Sequence, residues 1–200
     1  MRLINVDPNY IDFLKKDPRL SNVRDSKIGL STNGGRKYVG VCLTVGEYLY
    51  YIPIHKGSKE MSKHGKTYTN AIGIRKIKRS KFDIEFIERD KDGNEKLTSI
   101  LVTACMIPIP SQAVIEYDIS SEPNPKFKAD FTDLMNWVNK ENTLKIINNR
   151  VNKMYNTKIA SLNSPSSLTE EERKYTSYWV NYKLAEEKCK EWIGIQENKK

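Results

Sequence analysis

The chain predicts an α+β fold with a mostly antiparallel sheet, on three observations. Strand-like patterning fills residues 37 to 119, helical periodicity takes over after Pro123, and the strand–helix–strand alternation of parallel sheets is missing. A first helix is predicted from Pro8, with Asp7 as N-cap, Tyr10, Phe13 and Leu14 as its inward stripe, and Pro18 ending it. Residues 21 to 36 are polar and broken by Gly29 and Gly34-Gly35, so they read as a long loop.

Tyr38 to Val45 and Glu47 to Ile54 are rich in Val, Tyr, Leu and Ile, and Gly46 supplies the tight turn between them. Ala71 to Ile77 and Phe82 to Glu88 are two further strands, the second alternating Phe82, Ile84 and Phe86 against Asp83 and Glu85. Asp90-Lys91-Asp92-Gly93 is a turn and Leu97 to Met106 another strand. Met106-Ile107-Pro108-Ile109-Pro110 is expected to leave the sheet interior, because each proline removes a ladder donor. Val114 to Ile119 is a last short strand.

Asn124-Pro125 starts a helix whose inward residues are Phe127, Phe131, Leu134 and Val138. Leu144, Ile147, Val151, Met154 and Tyr155 repeat the pattern on a second helix. A Ser/Pro linker, 161 to 167, leads to a third helix carrying Tyr175, Tyr178, Trp179, Tyr182 and Cys189, with Ser167 and Glu170 offering a capping box. The chain reads as one domain over 1 to 200, with a C-terminal helical segment from about 165 to 195. Helical spacing favours core packing for Tyr178, Trp179 and Tyr182 over stacking on bases.

The 200 residues carry a net charge of +9, unevenly spread. Residues 1 to 80 hold 16 Lys/Arg against six Asp/Glu, an excess of +10, and the remainder comes to −1. From His55 to Lys81 there are nine basic residues and one acidic, Glu60. Basic charge concentrated in one stretch points to a polyanion docked at one face, since each neutralised phosphate releases counterions. No apolar run is long enough to span a bilayer, and Asp7 comes too early for a secretory signal. Cys42, Cys105 and Cys189 are odd in number and widely spaced, which fits free thiols in a cytoplasmic protein better than a disulfide or zinc site.

The richest chemistry lies in 55 to 66, which holds both histidines, His55 and His64, with Ser58, Ser62, Lys56, Lys59, Lys63 and Lys66. RNA can be cut without metal because its 2′-hydroxyl attacks the adjacent phosphorus. The protein must help remove that proton, stabilise charge on the phosphoryl oxygens and protonate the departing 5′-oxygen. Imidazole, ammonium and hydroxyl groups supply all three, and DNA lacks the nucleophile. Converging carboxylates for a two-metal site are missing from the basic stretch, so no metal or cofactor is expected. Asp83 and Glu85 share a strand face and read as the polar side of an edge. Tyr10 faces either the core or, through its hydroxyl, a phosphate. Arg36 and Lys37 either bind RNA or protect a strand edge. Lys63, Lys66, Arg75, Lys76, Lys78 and Arg79 complete the expected RNA-binding set.

Four stretches together resemble the ToxN/AbiQ family, the toxins of type III toxin–antitoxin systems. They are the opening helix Asn9 to Asp17, the basic-to-Gly strand Arg36-Lys37-Tyr38-Val39-Gly40-Val41, the segment Tyr50 through His64, and Met106-Ile107-Pro108-Ile109 followed by Asn124 to Trp137. The likeness covers residues 1 to about 155. It implies a strongly twisted antiparallel sheet with packed helices, similar to Kid/MazF toxins. It also implies a metal-independent endoribonuclease that leaves a 2′,3′-cyclic phosphate and processes a repetitive antitoxin transcript. The pseudoknot units of that RNA inhibit such toxins within closed toxin–RNA assemblies, and many systems abort phage infection. The family loop commonly reads Pro-(aliphatic)-Ser/Thr-Ser-Pro-Lys. Here Pro53-Ile54 is followed by His55-Lys56-Gly57-Ser58-Lys59, one residue longer and without the second proline. The resemblance assigns the hydroxyl and lysine to Ser58 and Lys59 and a nearby histidine to His64, with His55 and Lys56 as further catalytic candidates. A non-catalytic RNA-binding module and a domain that meets an acidic protein are the alternatives.

Overall fold

The computed structural model describes residues 1–24, 35–56, 67–69, 76–78, 83–89 and 95–198. Its main sheet joins strands in the order β6-β7-β3-β2-β1-β9, all antiparallel, with β8 paired to β3 off that path. The strands are β1 (Arg2–Val6), β2 (Lys37–Val45), β3 (Tyr48–Lys56), β6 (Ile84–Arg89), β7 (Glu95–Leu101), β8 (Ile107–Pro108) and β9 (Val114–Glu116). Between β3 and β6, β4 (Thr67–Thr69) and β5 (Lys76–Lys78) form a separate two-stranded ladder. The helices are α1 (Pro8–Lys15), α2 (Pro125–Val138), α3 (Glu141–Asn163), α4 (Glu170–Thr176) and α5 (Tyr182–Glu197).

Local chemistry accounts for most boundaries. Asp7 accepts from the Asn9 amide and Asn124 from the Lys126 and Phe127 amides, each followed by proline at the first helical position. Gly46 turns the β2–β3 hairpin at φ +56°, a left-handed conformation that side chains resist. Gly40 is needed for a different reason. An added Cβ there would lie 2.4 Å from the buried Tyr51 ring, at the point where the β2–β3 register shifts.

Several expectations are corrected. β1 was not anticipated; it pairs with β2 on one edge and β9 on the other, and the adjacent Leu3 and Ile4, which point to opposite faces, are both buried, so its sequence lacks alternation. The Pro108 segment is out of the sheet interior as expected, but it keeps one edge pairing, with Tyr50↔Pro108 and Tyr51↔Ile107 joining β8 to β3 alone among the described residues. Pro108 has no N–H to lose from the ladder, and its carbonyl accepts the buried Tyr10 hydroxyl at 2.7 Å. The strand expected over 97–106 ends at Leu101 and gives way to a 3₁₀ turn, Thr103–Cys105. The third C-terminal helix is two helices. Thr169 and Glu172 form the capping box of α4, and Asn181 caps α5 separately. The turn expected at 90–93 and most of the strand expected at 71–77 lie outside the described residues.

One apolar cluster runs from β1 through the sheet to α5. Trp192 of α5 packs on Tyr10 and Phe13 of α1, at ring distances of 5.5 and 5.3 Å. Tyr50 of β3 meets Tyr155 of α3 and Tyr182 of α5 edge-on, while those two stack on each other. At the centre of this group the buried Glu186 accepts hydroxyl protons from Tyr50 at 2.8 Å and Tyr155 at 2.7 Å. Lys183 reaches the other Glu186 oxygen at 2.8 Å. Cys42, Cys105 and Cys189 are buried free thiols. Trp179 and Tyr182 are core residues, whereas Tyr178 is 68% exposed.

Candidate active site

The last described turn of β3 delivers His55 to the point where the chain enters 57–66. Continuing the Tyr38↔Pro53 register outward sets Arg36 opposite His55, and the Arg36 guanidinium donates to the Ile54 carbonyl at 3.2 Å. Lys37 is interior to the sheet, paired with Asn5 of β1 while β2 also pairs β3, and Arg36 stands immediately before β2 with its guanidinium on β3. Edge protection is therefore not the role of Arg36 or Lys37.

On the other side of His55 the register runs His55↔Ile100↔Glu85 across β7 to β6. Asp83, two residues before Glu85, lies immediately before β6. The edge-strand reading of Asp83 is wrong in one respect: its carboxyl is largely buried. The Arg150 guanidinium of α3 lies 3.5 Å from its carbonyl. Its carboxyl accepts from the Thr103 amide and feels the charges of Arg24 and Arg150. One carboxyl oxygen, Oδ1, is buried without a hydrogen-bond partner among the described residues.

Electrostatics make this a predominantly cationic corner. Burial chiefly, then Arg36, then Arg24, lowers the His55 pKa from its ordinary value, so the imidazole is neutral at neutral pH. Burial raises Asp83 to about 6 against the opposing pull of Arg24 and Arg150. Burial raises the Cys105 thiol, which Arg24 also hydrogen-bonds. A neutral imidazole beside guanidiniums can accept a proton while its neighbours hold an anion.

Two expected contacts turn inward. Tyr10 takes the core-facing reading: it is fully buried and its hydroxyl is committed to Pro108. Lys37 is 5% exposed, with its amine 3.9 Å over the Tyr117 ring. Neither side chain is exposed. Ser58, Lys59, Lys63, His64, Lys66, Arg75 and Arg79 lie outside the described residues, and Lys56, Lys76 and Lys78 are described only as backbone of β3 and β5. Arg24 and Arg150 were not singled out from the sequence. Each stands singly in its own stretch, and the fold brings the charge of Arg24 to His55 and Asp83 and that of Arg150 to Asp83. Among the described residues no group of three His, Cys, Asp or Glu side chains is placed to hold a metal, and no helix is long and apolar enough to cross a membrane.

This arrangement of sheet and helices is shared with three solved structures, two of them from type III toxin–antitoxin systems. One, from work on selective toxin inhibition by a non-coding RNA pseudoknot, is 19% identical with a TM-score of 0.70, over 96% of this chain and 97% of that one. AbiQ, a lactococcal anti-phage endoribonuclease of the type III class, is 19% identical with a TM-score of 0.65, over 96% and 98%. A third, from a bacterial antiviral system regulated by a processed non-coding RNA, is 17% identical with a TM-score of 0.63, over 95% and 98%. No curated protein matches the sequence. The family model for toxin ToxN of type III toxin–antitoxin systems matches residues 2–190. The chain belongs to that family, and the matched span takes in most of α5.

Proposed function

We propose that the protein is a metal-independent endoribonuclease toxin of a type III toxin–antitoxin system. It cuts RNA by 2′-hydroxyl attack and leaves a 2′,3′-cyclic phosphate. The observation that carries this reading is His55, near the end of β3 in a ToxN-family chain and opposite Arg36, whose guanidinium bonds the adjacent Ile54 carbonyl; burial and then the charges of Arg36 and Arg24 lower its pKa. Ser58 donates to a non-bridging oxygen, and Lys59 stabilises phosphoryl charge or moves a proton. His55, Lys56 and His64 serve acid–base steps or hold phosphate, and Arg36 with Lys63, Lys66 and the Arg75–Arg79 cluster grips the strand. The charge excess over residues 1 to 80 supports a polyanionic partner.

The inhibitor is the protein's own repetitive antitoxin RNA, which it processes into pseudoknot units and joins in a closed assembly in the cytoplasm. Inhibition by a pseudoknot in one structural relative and anti-phage action in another support this reading and a role in abortive infection. The test is cleavage of RNA by the purified wild type beside Ser58→Ala, Lys59→Ala and His55→Gln. Loss of rate on the order of a hundredfold or more is expected for at least Ser58→Ala and Lys59→Ala. Binding without product would identify a non-catalytic RNA module instead, and equal rates in all variants would defeat the site assignment.

A further inference from the structure

Between the end of α1, the 3₁₀ turn Pro18–Leu20 and α5 lies a cavity of about 460 Å³, lined in part by Phe13, Lys16, Asp17, Arg19, Lys188 and Glu191. That size falls within the roughly 300–1,000 Å³ of small-molecule sites. None of its lining residues comes from β2, β3, β6 or β7, the strands around His55. Asp17 and Arg19 are joined side-on. The Arg19 Nε donates to Asp17 Oδ1 at 3.0 Å and its Nη2 to Oδ2 at 2.7 Å, and Oδ1 also accepts the Arg19 amide at 3.0 Å. The Asp17 side chain is 13% exposed and that of Arg19 70%. A planar guanidinium gripped along its Nε edge points its other edge, Nη1 with the second Nη2 hydrogen, away from the carboxylate. On α5, the Lys188 amine bonds Glu191 at 2.7 Å and stands 5.6 Å from the centre of the Phe13 ring, which Trp192 backs at 5.3 Å. With Lys16, the lining holds three cations against two carboxylates.

We infer that this cavity takes one nucleotide of single-stranded RNA, its phosphate on the outer edge of Arg19 and its base against the Phe13 ring. This deepens the ribonuclease-toxin reading, on which the choice of RNA rests, by adding a holding site built apart from the cutting strand. The outer edge of a guanidinium matches two phosphate oxygens at once, and Asp17 fixes its direction before the ligand arrives. Every base has a flat face that an aromatic ring can carry, so such a site grips RNA without reading sequence. Phe13 favours a nucleotide over an acidic peptide, whose carboxylates bring no flat ring to it.

The probe is a short, fluorescently labelled, single-stranded RNA pool methylated at every 2′-oxygen, which cannot be cut by 2′-hydroxyl attack. Arg19→Gln should weaken its affinity on the order of tenfold and flatten the slope of log affinity against log salt by up to roughly 0.7. Arg19→Lys should weaken it nearly as much, because an ammonium keeps the charge and loses the fork. Phe13→Leu should cost roughly fivefold or more with the salt slope unchanged, since stacking and not charge is lost. Lys190→Gln, exposed on α5 and outside the cavity lining, should bind as the wild type does. Wild-type affinity in Arg19→Gln or Arg19→Lys would overturn the site, as would equal weakening in Lys190→Gln. An Arg19→Gln protein that loses polyglutamate binding while keeping RNA would give the cavity to an acidic protein instead. Arg19 is exposed, so its variants decide the matter even where Phe13→Leu disturbs packing. Cleavage of unmodified RNA by the wild type is followed alongside. Its absence defeats the ribonuclease reading, whereas the cavity is judged on the affinities.

Discussion

Glu186 anchors the C-terminal helix to the strand that carries His55, and replacing it tests that link. Glu186 is 4% exposed, and one of its oxygens accepts both the Tyr50 and Tyr155 hydroxyls. Burial, then the neighbouring Glu186 charge, pushes the Tyr50 pKa far up, so Tyr50 remains a donor at every working pH. Glu186→Leu leaves two buried hydroxyls without their acceptor, at about 1–3 kcal/mol each. The Lys183 pair adds little, because the lysine side chain is 50% exposed. The expected loss is roughly 2–5 kcal/mol, or roughly 4–20 °C in melting temperature for a chain of this size. Tyr50→Phe and Tyr155→Phe each remove one bond and should cost about 1 kcal/mol. Urea unfolding of the single variants and of Tyr50→Phe/Glu186→Leu closes a double-mutant cycle in which coupling exceeds about 0.5 kcal/mol. A Glu186→Leu protein as stable as the wild type, or a cycle with no coupling, would refute the reasoning.

Three further outcomes are expected. Gly40→Ala should destabilise the fold by about 1–3 kcal/mol, since the new Cβ meets the Tyr51 ring at 2.4 Å; thermal unfolding checks it, and an unchanged midpoint contradicts the close approach. Asp83 is raised from 3.8 to about 6, so the folded state binds its proton more tightly than the unfolded state does. Its contribution is therefore full below pH 4 and falls as pH rises through 6, by up to about 3 kcal/mol. Asp83→Asn should abolish that decline and leave the protein more stable at pH 7.5, as urea titrations across this range would show. His55 has the opposite sign, its pKa lowered, so it costs stability as pH falls below the ordinary imidazole value of 6.5. His55→Gln should lessen the loss of stability on that acid side, and an unaltered pH profile would argue against a buried neutral imidazole.

Features written in neighbouring residues were legible in the sequence. Asp7-Pro8 and Asn124-Pro125 start helices because an acceptor and a proline do that work locally. Gly46 marks its hairpin for the same reason. What failed depends on distant neighbours. β1 has no alternation, because Leu3 and Ile4 are buried on opposite faces, and its partners β2 and β9 lie far along the chain. The break between α4 and α5 needed Asn181 to be recognised as a cap within an aromatic run that reads as one stripe. Alternation read Asp83 as a strand residue, whereas β6 begins at Ile84, and no local pattern could show that Asp83 would be largely buried with its carbonyl bonded by Arg150. That His55 and Arg36 stand near one another follows from the strand pairing of β2 and β3, and the charges of Arg24 and Arg150 reach this sheet corner only through the tertiary fold.

The central claim is metal-free RNA cleavage through the ribose hydroxyl. The most direct measurement is the chemical state of the product ends after incubation of purified protein with RNA in excess EDTA. The account predicts cleavage at an undiminished rate, with 2′,3′-cyclic phosphate on the upstream fragments and no cutting of the same sequence as DNA. Intact RNA under EDTA with activity restored by magnesium, or products ending in a 3′-hydroxyl, would contradict it.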